Sequence, residues 1–113
     1  MKNFELAEIV KNLHLKVEVG DRLLKREVTG CYVSDLLSDV MANAKKGDIW
    51  VTLQTHPNIV AVAVLKEISG IIIPANRKLE PETIKKAEQE KIPIMTTDLS
   101  GFEVVGRLYG LLK

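Results

Sequence analysis

Polar side chains suited to ligand binding follow four predicted strands of this chain. They are hydroxyl, carboxylate, amide, imidazole and guanidinium groups: Ser34, Asp35, Thr55, His56, Asn58, Asn76, Arg77, Thr97 and Asp98. If the strands are parallel, their carboxyl ends meet at one edge of the sheet, together with the first turns of the helices that follow. Because free N–H groups at helix N-termini attract anions, we expect a small anionic ligand or a partner protein to bind at this edge.

His56 is the most conspicuous of these residues, because it lies between a predicted strand and a predicted helix N-terminus. Two interpretations are open. His56 contacts a ligand at the sheet edge, together with Thr55 and Asn58, or it simply caps the helix that begins near Pro57. A third hypothesis, in which His56 acts as a catalytic base, has no accompanying nucleophile or metal ligand to support it.

The other candidates also have structural interpretations. Ser34 and Asp35, with Ser38 and Asp39 one turn later, are typical of helix capping and dipole compensation, which we favour over a Mg²⁺ site. Arg77 and its neighbours are positioned to grip a carboxylate or phosphate, or are simply solvated. Asp98 is a turn residue or a ligand contact.

Composition excludes several classes of function. The charges are balanced, 16 basic against 15 acidic residues, and the basic residues are scattered, so we expect neither nucleic-acid nor membrane binding. Cys31 is the single cysteine, best interpreted as a small core residue, and His14 and His56 are the only histidines. We therefore predict no catalytic residues, metal or cofactor. Without an N-terminal apolar run or a stretch long enough to cross a membrane, the expected location is the cytoplasm.

The segment Gly101–Leu108 has the glycine spacing of a phosphate-binding loop but lacks its chemistry. Arg107 stands in place of the lysine, Leu108 in place of the Mg²⁺-binding hydroxyl, and Glu103 would repel an anion. A capped helix is the simpler interpretation. Its glycines, Gly106 and Gly110, share a face that a second helix, such as that of a dimer partner, could approach closely.

Strands and helices alternate along most of the chain. The first helix is predicted over Phe4–Leu13, with Asn3 as its cap. The later helices begin at Ser34 or Asp35, near Pro57, at Pro81 and after Ser100, which forms a capping box with Glu103. We expect Phe102, Val105, Leu108, Tyr109 and Leu112 to be the buried side of the last helix. Strands are predicted at His14–Val19, Val28–Val33, Ile49–Leu53, Ile71–Ile73 and Ile92–Thr96.

The segment Ile59–Leu65 is ambiguous. Its β-branched residues favour a strand, which would form a hairpin with Ile71–Ile73. The preceding Pro57 and the strand before it favour a buried helix, which we predict. The alternation then indicates an α/β fold, a three-layer α/β/α sandwich with a mostly parallel sheet of about five strands, in one domain covering residues 1–113.

Several segments together resemble the DRTGG domain family. They are a strand with Val28-x-Gly30-x-x-Val33 beside Ser-Asp-Leu-Leu, then Gly47-Asp-x-x-Val-Thr, Ile-Ile-Ile, Pro81-x-x-Ile-x-x-Ala, Lys-Ile-Pro-Ile and Ser100-Gly-Phe-Glu. The resemblance covers roughly Val28 to Lys113. The chain departs from the family pattern at Thr55-His56, where Asp-Arg is common, and at Pro74-Ala75-Asn76, where Gly-Gly is expected.

The resemblance implies a fold similar to the N-terminal domain of the HPr kinase/phosphorylase, without the ATP-binding half of that enzyme. It also implies a non-catalytic regulatory or sensing role. We therefore predict a regulatory domain that acts as a homodimer and binds its ligand or partner protein at the predicted edge of the sheet. The alternative that the resemblance implies is a protein-interaction subunit of an iron-hydrogenase-related redox system, with no small ligand.

Overall fold

The structure is a computed structural model that describes residues 3–113. Within these residues it contains five helices and seven strands. In chain order they are β1 (Phe4–Glu5), α1 (Leu6–Leu13), β2 (Lys16–Val19), β3 (Glu27–Val28), β4 (Gly30–Val33), α2 (Leu37–Asn43), β5 (Asp48–Val51), α3 (Asn58–Leu65), β6 (Gly70–Ile73), α4 (Pro81–Glu90), β7 (Ile94–Thr96) and α5 (Gly101–Leu112).

The central sheet has the strand order β2-β7-β6-β5-β4. Strands β4 to β7 are parallel and follow one another across the sheet in chain order, whereas β2 joins the far edge antiparallel to β7. All residues of β5, β6 and β7 are buried, as expected for parallel strands covered on both faces. A separate two-stranded ribbon pairs β1 with β3.

Helices cover both faces of the sheet. The apolar residues of α2, α3 and α4 pack with Trp50 and Ile71 on one face, and those of α1 and α5 pack with Ile72 and Met95 on the other. This arrangement confirms the predicted three-layer α/β/α sandwich with a mostly parallel five-stranded sheet. No helix in residues 3–113 has the length and apolar character needed to cross a membrane.

The structure also resolves the ambiguous segment as a helix. α3 spans Asn58–Leu65, and four of its residues, including Ile59 and Val60, are buried. A helix that is apolar around most of its surface fits a position between two other helices and the sheet. The start of α4 at Pro81 and the capping box between Ser100 and Glu103 are confirmed as well.

Two predictions near the amino terminus were wrong. α1 begins at Leu6, not Phe4, because Phe4 and Glu5 pair with β3, and the backbone N–H of Glu5 donates to Glu8 Oε1 at 3.1 Å. Asn3 is therefore not the cap. The strand predicted over residues 28–33 is divided into β3 and β4, which belong to different sheets.

Two helices differ from the prediction in their start or their rotation. α2 begins at Leu37 because the Ser34 hydroxyl accepts a hydrogen bond from the backbone N–H of Leu36 and closes a turn ahead of the helix. In α5, Phe102 and Tyr109 are exposed, and Val104 takes the buried position beside Leu108 and Leu112.

Candidate functional site

The nine predicted site residues all follow carboxyl ends of parallel strands, but they do not form one site. They fall into three groups along this edge, and the groups are separated because they follow different strands of the sheet. Asn76, Arg77, Thr97 and Asp98 line one cavity, and Ser34 and Asp35 line another. Thr55, His56 and Asn58 line neither of these two cavities.

The first cavity, which we call the polar pocket, lies where β2, β7 and the β6–α4 loop meet, with a volume of about 530 Å³. Its charged residues are Lys16, Glu18, Arg77, Lys78 and Asp98. Leu79 and Ile84, from the start of α4 and the loop before it, give it one apolar wall. The pocket therefore combines a polar rim with an apolar surface, as small-molecule sites do.

Cationic side chains outnumber carboxylates in the polar pocket. Lys16 Nζ lies 3.6 Å from Glu18 Oε2, and the same oxygen accepts a hydrogen bond from the Thr96 hydroxyl at 2.7 Å. Among residues 3–113, no carboxylate pairs with Arg77 or Lys78. These two cations are therefore available to an anionic ligand, and a guanidinium can donate two parallel hydrogen bonds to a carboxylate or phosphate.

The backbone around the polar pocket is held in an unusual conformation. His14, Ala75 and Asn76 have φ values of 54°, 65° and 56°, in the left-handed region that non-glycine residues rarely adopt. The Ala75 and Asn76 N–H groups donate to the carbonyl oxygens of Leu99 and Thr97 at 2.7 and 2.9 Å. Such strain persists where surrounding contacts hold it, and it clusters at binding sites.

Asp35 acts mainly as a structural connector between two strand ends. Its Oδ1 accepts hydrogen bonds from the Thr52 hydroxyl at 2.9 Å and from the backbone N–H of Leu53 at 2.6 Å. It borders an apolar cavity of about 300 Å³ between β4, β5 and the start of α5. Since Val33 and Val105 are among the residues that line this cavity, it suits an apolar group rather than an anion.

Ser34 is occupied by local hydrogen bonds but does not cap α2, whose N-cap residue is Leu36. Its hydroxyl accepts from the Leu36 N–H at 3.1 Å, and its carbonyl oxygen accepts from the Trp50 indole N–H at 2.9 Å. Hydrogen bonds from Ser34, Tyr32 and Asn43 also lower the pKa of the nearby Asp39 carboxyl.

His56 is exposed and performs the capping role. Its Nδ1 accepts a hydrogen bond from the backbone N–H of Asn58 at 3.1 Å, at the first turn of α3. The Thr55 carbonyl oxygen accepts a hydrogen bond from the buried Thr83 hydroxyl at 2.6 Å, which joins the start of α3 to α4. The polar groups of this turn therefore serve mainly to position two helices, α3 and α4.

The sequence interpretation missed the residues that the α1–β2 connection and β2 contribute to the polar pocket. These residues are His14, Lys16 and Glu18. The alternation of Lys16 and Glu18 indicated an exposed strand face. Nothing in the sequence indicates that β2 lies antiparallel beside β7, which is what brings that face to the pocket.

A second groove, of about 640 Å³, lies at the opposite edge of the sheet, near Gly47 and Ser69. Its charged residues include more carboxylates than cations: Arg26, Glu27, Lys46, Glu67 and Glu90. One of its cations, Lys46, lies 3.5 Å from Glu67. Although this groove is larger, it suits an anion less well than the polar pocket does.

Cys31 is predicted to react slowly with thiol reagents in the folded protein. Burial and, to a lesser extent, the nearby Asp48 carboxylate raise the pKa of this thiol from 9.0 to about 12, which lowers its thiolate fraction roughly a thousandfold near neutral pH. A disulfide reagent with optical readout should therefore label native protein far more slowly than protein in urea. Equal rates in both conditions would contradict the partly buried position of the thiol and its raised pKa.

Comparison with known proteins places these observations in a family. The family model of the DRTGG domain matches residues 8–111. No curated protein matches the chain. Among solved structures, the chain is similar to the CBS and DRTGG domains of the regulatory region of Clostridium perfringens pyrophosphatase, complexed with the activator diadenosine tetraphosphate.

The similarity to that structure has a TM-score of 0.70 at 16% sequence identity, and it covers 92% of this chain and 45% of the other. The chain thus spans less than half of the regulatory region that it matches. At this identity the likeness concerns the fold alone. The family match extends over nearly the whole described chain and includes most of α1 and all of β2, which lie before the segments recognised in the sequence. The chain belongs to the DRTGG domain family.

Proposed function

We propose that this protein is a non-catalytic regulatory domain that binds a small anionic ligand in the polar pocket. The observation that carries the proposal is the pair Arg77 and Lys78, which no carboxylate neutralises within residues 3–113, beside a pocket of about 530 Å³. Strained residues of the β6–α4 loop support the pocket. A ligand that bridges this loop and β2 would stabilise one arrangement of the two elements, which is how a binding domain regulates a partner.

The family relationship supports a regulatory role. The pyrophosphatase fragment with the similar fold is a regulatory region, and its structure contains a nucleotide activator. No nucleophile paired with a base is evident in the polar pocket. Its histidine, His14, is exposed and ends α1, so we assign it no catalytic role.

Replacement of Arg77 and Lys78 by alanine is predicted to abolish stabilisation by anions. Wild-type protein should show a raised melting temperature with at least one of a set of probes: inorganic phosphate, pyrophosphate, ATP and citrate. A ligand present at about 100 times its dissociation constant adds about 2.7 kcal/mol to the free energy of unfolding. The double variant should lose most of this shift in melting temperature. The one lysine or arginine that remains in its pocket is Lys16, whose charge Glu18 partly neutralises.

The matched control is Lys85→Ala with Lys86→Ala. These exposed lysines lie on α4 and do not line the polar pocket, yet their removal changes the net charge equally. The control variant should retain the wild-type shift. Equal losses in both double variants would mean that general electrostatic attraction, not the polar pocket, binds the anion.

We also propose that the domain functions as a homodimer. Several large apolar side chains of the described chain are exposed, among them Leu36, Leu65, Phe102 and Tyr109. Two of them, Phe102 and Tyr109, lie on the same helix, α5, and exposed apolar residues that lie close together mark interaction sites. A dimer would couple two copies of the polar pocket, so that ligand binding in one copy influences the other.

A further inference from the structure

The outer face of α5 carries large aromatic side chains that the described chain leaves uncovered. Phe102 is 89% exposed and Tyr109 is 68% exposed, although Val104, Leu108 and Leu112 on the opposite side of the helix are buried. Between the two aromatic residues lies Gly106, where an added methyl group would meet no atom within 4 Å beyond its chain neighbours and the backbone of its own helix. The surface is therefore both apolar and indented at its centre.

We infer that a second copy of this chain docks on the α5 face, with the two α5 helices antiparallel and a two-fold axis beside Gly106. We define the α5 face as Phe102, Glu103, Gly106, Arg107 and Tyr109. The inference rests on the proposed homodimer and adds the surface and the orientation. A two-fold interface must be self-complementary, because the same patch contributes both sides.

The aromatic residues satisfy this condition on one flank of the α5 face. With a rise of about 1.5 Å per residue, Phe102 lies about 6 Å to one side of Gly106 along the helix axis, and Tyr109 about 4.5 Å to the other. The two-fold axis reverses the partner helix, so that Phe102 comes opposite the partner's Tyr109. Both rings then lose their exposure in an aromatic contact.

The charges satisfy the same condition on the other flank. Glu103 and Arg107 are exposed and lie on the side of Gly106 away from the aromatic residues. The two-fold axis brings Glu103 within about 3 Å, along the helix axis, of the partner's Arg107. Glu103 Oε1 already accepts hydrogen bonds from Ser100, which leaves Oε2 for this ion pair.

Gly106 lies at the point of closest approach between the helices. Small residues at a helix crossing allow the two backbones to pack closely. The apolar surface also continues beyond α5, because Val105 shares the apolar cavity with Val33 of β4, and Val33 is 51% exposed. A second copy is favoured over an unrelated partner because each aromatic or charged residue of the α5 face has its complement on the same face.

The test measures the mass of the full chain by light scattering and sedimentation equilibrium, from micromolar to millimolar concentration. Wild type should be a dimer that dissociates on dilution. Combined Phe102→Ser and Tyr109→Ser should weaken association at least about tenfold, because aromatic anchors dominate such contacts. Leu65→Ser is the matched control: it removes a 69% exposed apolar residue on α3 and should leave the dimer intact.

Two further variants separate docking from folding. Gly106→Leu should block the dimer without lowering the melting temperature of the monomer, because the site is open and leucine favours a helix over glycine. Arg107→Glu should weaken the dimer, and the addition of Glu103→Lys should restore it. Because the same two residues can also pair within one helix, at i and i+4, the melting temperature of each variant is measured on the monomer in parallel. Restored association without a matching change in that melting temperature identifies the pair between the two helices.

The outcomes distinguish this inference from the homodimer itself. If the wild type is a dimer that is insensitive to the Phe102, Tyr109 and Gly106 substitutions, the homodimer stands and the α5 face is the wrong surface. If the chain is a monomer throughout the concentration range, both proposals are overturned. Failure of the charge exchange to restore the dimer would overturn the antiparallel orientation.

Discussion

Trp50→Ala is expected to lower the free energy of unfolding by about 3–5 kcal/mol, the largest effect of a single substitution considered for this chain. Trp50 is completely buried in β5, among side chains of α2 and α3. Alanine would lose the transfer free energy of the indole and leave a cavity that the sheet and two helices cannot collapse to fill. The indole N–H bond to Ser34 would be lost as well.

Urea unfolding followed by circular dichroism measures this effect, since Trp50 is the only tryptophan and its fluorescence disappears in the variant. Trp50→Phe is the informative control. It retains an aromatic ring in the core but removes the donor to the Ser34 carbonyl oxygen, so we expect an intermediate loss of about 1–3 kcal/mol. A loss below about 1 kcal/mol for Trp50→Ala would contradict a close-packed core at this position.

Gly47→Ala is expected to destabilise the protein by about 2 kcal/mol or more. Gly47 has a φ of 86°, which costs an L-residue about 1–2 kcal/mol. An alanine Cβ would also overlap the Thr29 hydroxyl oxygen. The residue cannot move easily, because its N–H donates to the Glu67 carbonyl oxygen and its own carbonyl oxygen accepts from the Thr29 N–H.

A second substitution separates the two causes of this loss. Thr29→Ala in the Gly47→Ala background removes the overlap but leaves the backbone strain, so we expect partial recovery of the unfolding free energy. Gly110→Ala is the matched control when it is measured on the monomer, because that exposed helical site is open, and alanine should stabilise the helix by roughly 0.5–1 kcal/mol. If Gly47→Ala did not lower the free energy of unfolding, the left-handed conformation assigned to Gly47 would be contradicted.

The fold could be predicted from the sequence largely because its elements alternate and its helices carry recognisable start signals. The segment of α3 shows how such signals compete. Its β-branched residues favour a strand, but Pro57 and the strand β5 before it favour a helix, and the helix is what forms. Tertiary context outweighs intrinsic β preference when a helix is buried on most of its surface.

The rotation of α5 could not be predicted in the same way. Its apolar residues occupy more than half of the helix circumference, so two different stripes satisfy the same periodicity. The predicted stripe placed Phe102 and Tyr109 inside, whereas the structure buries Val104 with Leu108 and Leu112. The alternative stripe leaves the aromatic residues outside, and that difference is the basis of the proposed α5 interface.

The candidate site was predictable only as an edge of the sheet. Each strand end could be located, which placed Arg77 and His56 at the same edge of the sheet. Their separation depends on the strand order β2-β7-β6-β5-β4, which local patterns do not specify. For the same reason the contribution of β2, through Lys16 and Glu18, was missed.

The most direct test of the central claim, that the polar pocket binds an anion, is an NMR titration of isotope-labelled protein with inorganic pyrophosphate. We predict saturable shift changes at backbone amides around Lys16, Asn76, Arg77 and Asp98, and their loss when Arg77 and Lys78 are replaced by alanine. Shift changes confined to His56 and Asn58, or to the groove near Gly47, would contradict the account, as would no change with pyrophosphate, phosphate, ATP or citrate.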